Sequence, residues 1–240
     1  MILREIRVKS ILSKSKVYEY TINPYVGCQF GCIYCYAQFM KKYTGHKENW
    51  GEFVDVKINS LELLEKEIKR KKKGTIWISG VCDPYQPVER KYGLTRKILE
   101  VLCKENWSVV IQTKSPLVLR DIDIFKKFKN IEIGFSIGTG DENIRRLFEP
   151  KAPSIDKRIE ALKKLREEGL RTYAMVAPVL KGVFSLPERL KGIVDYVIID
   201  KINYHYADNI YRKYSLKKEL DTELLLNLFK KEKINAYLVK

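Results

Sequence analysis

The chain has 240 residues, 45 % apolar and 32 % charged, and its 46 Lys plus Arg against 30 Asp plus Glu give a formal net charge of +16. That length and apolar share suit one large filled core or at most two small ones, and argue against a disordered chain. No run of about 18 apolar residues occurs, and charges interrupt Met1-Ile-Leu-Arg-Glu-Ile-Arg7 where a leader would be apolar, so a helical membrane span is excluded and a soluble, cytoplasmic protein is expected.

Taken in order, Val17 to Val26 is rich in β-formers and reads as a strand running into Asn23-Pro-Tyr-Val-Gly-Cys28-Gln-Phe-Gly-Cys32-Ile-Tyr-Cys35-Tyr-Ala-Gln38, which holds three of the five cysteines. A short helix over Ala37 to Lys42 and a loop through Thr44 to Gly51 follow, with His46 and the loop aromatics read as packing and surface. A helix is predicted over 60–73, with Ser60 as N-cap, Leu61, Leu63, Leu64 and Ile68 on its apolar face, and Gly74 as its stop. The run Glu65 to Lys73 reads as the solvated end of that helix, its cations favourable at the C-terminal dipole.

From residue 75 a period sets in. Strands are predicted over 75–79, 108–113, 131–136, 172–177 and 196–199, alternating with helices over 94–104, 121–128, 141–148, 154–168 and about 186–192. In the longest of these, Ser154 is the cap, Ile155, Ile159, Leu162 and Leu165 share a face, and Gly169 ends the helix. With the first strand this makes six strands alternating with helices, the pattern of an α/β protein whose parallel strands are joined by right-handed crossovers. Six units are too few for a closed eight-stranded barrel, and no glycine-rich dinucleotide turn follows the first strand. Residues 1–200 are expected to form one core, and 201–240 to add a loop and a closing helix, Asp221 to Lys231, packed on it.

The chemistry concentrates in the cysteine loop. Three thiolates spaced C-x3-C-x2-C, in a loop made tight by Gly27 and Gly31, can converge on one metal centre, and three ligands leave a coordination position open. A zinc site that borrows a fourth ligand from Cys82, Cys103, His46 or His205 is the non-catalytic alternative, and plain buried thiols are another. An odd cysteine count without secretory context argues against a disulfide framework.

The spacing, with the aromatic Tyr34 directly before the third cysteine, resembles the cluster loop of the radical S-adenosylmethionine (SAM) superfamily. Gly27-Cys28 through Cys35-Tyr36-Ala37, followed by Asp83-Pro-Tyr-Gln-Pro-Val-Glu89, is similar to the branch that contains spore photoproduct lyase and uncharacterised relatives. The resemblance implies an open, partial (β/α)6 barrel, with Cys28, Cys32 and Cys35 holding three irons of a 4Fe-4S cluster and the fourth iron binding the amino and carboxylate groups of SAM. It also implies a low-potential electron donor, whose electron cleaves SAM to methionine and a 5'-deoxyadenosyl radical. Two positions depart from the pattern of that branch: Phe30 stands where a histidine is expected and Gln38 where arginine often follows Tyr-Ala. Neither removes a cluster ligand.

In a barrel of this kind, active-site groups come from the C-terminal ends of the strands. The turn Ser79-Gly-Val-Cys82-Asp83-Pro-Tyr-Gln-Pro-Val-Glu-Arg90 sets a cysteine, an acid, a tyrosine and a glutamine close together at that position, and its prolines and glycine also suit a rigid structural turn. By resemblance Asp83 lies where the amino group of SAM is met, with Tyr34 and Tyr36 beside the cluster ligands, and Cys82 is the candidate for returning a hydrogen atom to a product radical, although Gly80 could align there instead. Lys114, ending the third strand, would pair as a point charge with the methionyl carboxylate, and the Ser136 hydroxyl suits the ribose diol. The strand end Ala177-Pro178 is expected to shape the adenine pocket, Cys103 reads as core, and no role is assigned to Arg145, Arg146 or Glu149-Pro150.

The net charge and the stretch Asn203-Tyr-His-Tyr206 with Tyr211, Arg212, Lys213 and Tyr214 both suit nucleic acid, since aromatics stack bases and cations hold phosphates. Each also has another reading. Lysine accumulates in proteins adapted to high temperature, and tyrosines pack beneath closing helices. Nucleic acid, a peptide and a small metabolite therefore stay open as substrates.

Overall fold

The computed structural model describes residues 1–201, 205–218 and 220–239. The chain divides into two compact units, one of Met1–Phe30 with Ala37–Glu132 and one of Gly31–Tyr36 with Ile133–Lys240.

The first unit contains strands β1 (Ile2–Ile6), β2 (Leu12–Lys14), β3 (Tyr20–Ile22), β4 (Tyr25–Val26) and β5 (Phe53–Lys57), then helix α1 (Ser60–Ile68), β6 (Thr75–Ile78), α2 (Glu89–Tyr92), α3 (Leu94–Lys104), β7 (Ser108–Thr113) and α4 (Ile122–Phe125). β3, β6 and β7 pair in parallel, and β2 lies antiparallel on β3. Parallel strands are buried on both faces, which accounts for the run of wholly buried Ile22, Ile76, Ile78 and Ile111 against Leu64, Ile98, Leu99 and Leu102 from the helices. A smaller sheet sets β5 between β1, parallel, and β4, antiparallel.

The second unit continues with β8 (Ile131–Ser136), α5 (Glu142–Phe148), α6 (Ile155–Glu167), β9 (Arg171–Val176), α7 (Leu186–Leu190), β10 (Tyr196–Ile199), α8 (Asp208–Lys213), α9 (Thr222–Lys231) and β11 (Asn235–Leu238). β8 lies beside β9, and β9, β10 and β11 are parallel in that order. Close backbone approach explains the glycine in β8: a Cβ on Gly134 would fall 2.1 Å from the Tyr173 ring. In neither unit are the two outer strands paired to one another, so the sheets stay open, as a parallel α/β protein short of a closed barrel requires.

Several elements depart from the expectations. The strand predicted over 17–26 breaks at Asn23-Pro24 into β3 and β4, because proline has no N–H for a ladder and β4 turns away to pair with β5. Ser60 is the first residue of α1 rather than its cap; it bonds the Lys57 carbonyl at 2.5 Å, while Asn59 uses its amide on both backbone groups of Val8, each at 2.9 Å. α1 ends at Ile68, its last buried residue, so Lys69 to Lys73 lie exposed beyond the helix instead of forming its final turns. Five adjacent cations repel along a helix and gain no burial from it. β1, β2, β5, α2, α8 and β11 have no counterpart in the predicted series. Ser154 caps α6 through the Lys157 amide as expected, and Asp221 caps α9 through the Leu224 amide at 2.8 Å.

No helix among the described residues is long and apolar enough to cross a membrane. Leu162, wholly buried on the inner face of α6, tests the packing of the second unit. Leu162→Ala should lower unfolding stability by about 2–5 kcal/mol in a denaturant titration, through lost transfer energy and the cavity left behind.

Candidate active site

The cysteine loop makes neither helix nor ladder from Gly27 to Cys35, so its backbone groups must find partners elsewhere. On the first unit's side, Gly27 has φ +86°, and a Cβ there would fall 2.4 Å from the Phe53 carbonyl oxygen, so the chain can pass β5 here as glycine alone. Gln86, wholly buried, brackets Cys28: its Nε2 donates to the Gly27 carbonyl at 3.2 Å and its Oε1 accepts from the Gln29 amide at 2.9 Å. Gln29 in turn accepts from the Val88 amide at 2.5 Å. The backbone either side of Cys28 is thereby tied to the turn after β6.

That turn is held by buried acids. Glu89, wholly buried, accepts from the Tyr25 hydroxyl, from the Thr95 amide at 3.0 Å and from Arg120 Nη2 at 2.8 Å. Asp121, also buried, accepts from the Tyr85 hydroxyl at 3.0 Å and from Arg96 Nη1 at 2.9 Å. Guanidinium groups and hydroxyls answer the lone pairs that burial would otherwise leave costly.

On the second unit's side, the Ile33 amide donates to the Phe148 carbonyl at 2.9 Å and the Cys35 amide to the Cys32 carbonyl at 3.2 Å. Tyr34, between those cysteines, donates its hydroxyl to Glu149, which is ion-paired with Arg158. Burial first, then the Glu149 charge, pushes the Tyr34 hydroxyl pKa well up, so it stays a donor. Tyr36 opens a 3-10 helix, Tyr36–Tyr43, where a short α-helix is predicted.

None of the five cysteines is in a disulfide; Cys28 and Cys32 are buried and Cys35 is partly exposed. Among the described residues no three His, Cys, Asp or Glu side chains gather into a site for a single metal ion. The donor set suits an iron-sulfur cluster: three cysteines outside any disulfide on one short loop, which side chains from outside it help to fix. The histidines are otherwise engaged. His46 is buried, stacked on Phe53 at 4.0 Å, with its ring nitrogens 2.9 Å from Glu48 and 2.9 Å from Asp55, and exposed His205 lies 2.8 Å from Asp208.

At the strand ends, the half-buried Cys82 sulfur lies 2.9 Å from Ser79 Oγ, which donates to Asn23 Oδ1 at 2.6 Å. Burial pushes the Cys82 thiol up to about 11, against smaller opposing effects of the Ser79 hydrogen bond and the Lys57 charge. Asp83 is buried after β6; Oδ1 accepts from Thr113 Oγ1 at 2.6 Å and the Tyr85 amide at 2.9 Å, and Oδ2 from the Lys114 amide at 2.7 Å. Burial raises its pKa, and these hydrogen bonds pull it back. Asp83 therefore fixes the backbone of Lys114, the next predicted site residue, whose side chain is partly exposed just beyond β7. Ser136 is buried at the last position of β8, with its carbonyl bonded by Arg158 at 2.9 Å.

Asn203 and Tyr204 lie outside the described residues. Of the rest of that stretch, Tyr211 is buried against Phe148 at 5.0 Å between ring centres, whereas Tyr206 and Tyr214 are 43 % and 44 % exposed. The packing and the surface readings thus divide between residues of one segment. Glu149 and Arg158 are not among the sequence candidates. Glu149-Pro150 is noted in the sequence without a role and Gln86 belongs to the turn after the second predicted strand, but no local pattern gives their partners or marks Arg158, because those partners are remote in the chain.

The model of the radical SAM superfamily matches residues 22–184. An uncharacterised protein of Methanocaldococcus jannaschii is 39 % identical over 210 residues, 85 % of this chain and 76 % of that protein. A radical SAM Nα-GlyT isomerase of Pseudomonas phage M6 is 23 % identical over 194 residues, 77 % of this chain and 40 % of that one. Among solved structures, spore photoproduct lyase complexed with dinucleoside spore photoproduct superimposes with a TM-score of 0.73 at 17 % identity, covering 99 % of this chain and 82 % of the lyase. The likeness gives the fold, an open, partial α/β barrel of the radical SAM type.

The site makes one titration measurable. In metal-free protein, the alkylation rate of Cys82, followed by peptide mass spectrometry, should rise with a midpoint near 11. A midpoint at about 8.5, that of an unperturbed thiol, would contradict the burial described here.

Proposed function

Because the chain belongs to the radical SAM superfamily and is an enzyme, we propose that Cys28, Cys32 and Cys35 hold a 4Fe-4S cluster for the reductive cleavage of SAM, and that the substrate is a nucleic-acid base. When bound, the cluster supplies a low-potential electron and SAM supplies the 5'-deoxyadenosyl group that abstracts hydrogen. The observation that carries the reading is the family match joined to three cysteines, none in a disulfide, on one clamped loop.

The chain's own residues bind and orient. Lys114 presents a cation to the methionyl carboxylate, and Asp83 serves it by fixing the backbone from which that side chain springs. The Ser136 hydroxyl meets the ribose diol, and Tyr34 and Tyr36 flank the loop's last cysteine. Cys82 returns a hydrogen atom: its S–H bond breaks homolytically, the hydrogen goes to the product radical and a thiyl radical remains on sulfur. The raised thiol pKa supports this role, because a neutral S–H group carries a hydrogen atom and a thiolate does not.

A base as substrate is supported by the +16 charge, by exposed Tyr206 and Tyr214 beside Arg212 and Lys213, and by the fold shared with a lyase that binds a dinucleoside. The electron donor is a low-potential carrier. The non-catalytic zinc module is set aside, since the family is one of enzymes.

Anaerobic reconstitution should give about four irons and four sulfides per chain, and the reduced protein should release 5'-deoxyadenosine from SAM. Stoichiometric zinc with no iron uptake and no cleavage would overturn the reading. Lys114→Met should keep the iron and weaken SAM binding by about 1.5–3 kcal/mol, the worth of a hydrogen bond to a charged group; unchanged affinity removes Lys114 from the site. For the substrate, the loaded protein should bind single- or double-stranded DNA or RNA with an affinity that falls steeply with salt yet discriminates among them. Absence of binding at low salt excludes nucleic acid and leaves the SAM chemistry standing.

A further inference from the structure

Glu149 is 2 % exposed and Arg158 1 %, and they form an ion pair with Nη2 and Oε2 2.5 Å apart inside the second unit. Moving two charges out of water costs several kcal/mol per ion, and an apolar pair of similar volume is often as stable, so packing alone is a weak reason for this pair. Its other contacts show what it holds. The Tyr34 hydroxyl donates to Glu149 Oε1. Arg158 donates from Nη1 to the Ser136 carbonyl at 2.9 Å, and from Nε and Nη2 to the Pro153 carbonyl at 3.0 and 2.8 Å. Arg145 Nη1 fixes the turn that carries Glu149, reaching the carbonyls of Glu149 at 2.9 Å and Ala152 at 3.1 Å. One polar chain therefore runs from the residue between Cys32 and Cys35, through a carboxylate and a guanidinium, to the carbonyl at the C-terminal end of β8.

We infer that Glu149 and Arg158 are positioning residues for the metal-binding loop: they hold its Cys32 to Cys35 segment against the end of β8, and their balanced charge sets the reduction potential of the cluster bound there. This rests on the radical SAM reading of the three cysteines. Hydrogen bonds and charges beside the thiolates are among the levers that tune iron-sulfur potentials. A buried cation favours an added electron and a buried anion opposes it, and both act strongly where water is excluded. With Glu149 in place the field of Arg158 at the loop is largely cancelled. Without it, the cation stands alone.

Two substitutions separate the two parts of the inference. Glu149→Gln keeps an acceptor for Tyr34 and removes the negative charge; Tyr34→Phe keeps both charges and cuts the link to the loop. In anaerobically reconstituted wild type and variants, the measurements are iron per chain, the midpoint potential by a titration followed by electron paramagnetic resonance, and the rate of iron loss to a chelator. Glu149→Gln is expected to move the midpoint to a more positive potential at unchanged iron content. Tyr34→Phe is expected to leave the midpoint in place and lose iron several-fold faster. A wild-type midpoint in the first variant, or a wild-type rate of iron loss in the second, overturns the inference. If Glu149→Gln does not fold, the rate for Tyr34→Phe decides alone. A wild type that takes up no iron sinks the radical SAM reading and this inference with it, whereas a wild type that loads iron and cleaves SAM beside unshifted variants sinks this inference alone.

Discussion

From Gly27 to Cys35 the cysteine loop forms neither helix nor ladder, so the polar groups it buries have to be answered by partners other than a regular backbone ladder. Gln86 does this for the residues either side of Cys28, and Glu149 does it for the side chain between Cys32 and Cys35. A neutral amide suits the first place because it both donates and accepts, matching one carbonyl and one N–H of the backbone. The second place takes a carboxylate because its partners, a hydroxyl and a guanidinium, are both donors.

The same demand explains the buried acids around the turn after β6. Glu89 and Asp121 are wholly buried, yet their partners Arg120 and Arg96 keep a quarter to a third of their side chains in water. Each pair thus loses less hydration than one sealed on both sides, while the carboxylates take up the amide of Thr95 and the hydroxyls of Tyr25 and Tyr85. Asp83 extends this logic to the next strand by binding the first residue after β7 through its amide. The turn, the cysteine loop's first half and the position of Lys114 are therefore one hydrogen-bonded unit.

Cys82 sits at the edge of that unit, against the apolar cluster of Tyr25, Val54, Val56, Val88 and Leu94. Burial there disfavours the thiolate and keeps the hydrogen on sulfur.

Much of the fold was legible in the sequence. β7, β8, β10 and α3 fall on their expected residues, because a buried parallel strand is a short apolar run and an amphipathic helix repeats every three to four residues, both local signals. The cysteine spacing is a local signal of the same kind. Where stability comes from remote partners the sequence was silent: β1 forms because Ile2 to Ile6 align with Phe53 to Lys57, and β11 because Asn235 to Leu238 align with Tyr196 to Ile199. Arg158 carries no local mark, and the motif that contains Gln86 does not give its partners. Their roles arise when folding brings a buried amide to Gly27 and Gln29 and a buried guanidinium to Glu149 and Ser136, since a hydrogen bond depends on distance in space and not on separation along the chain.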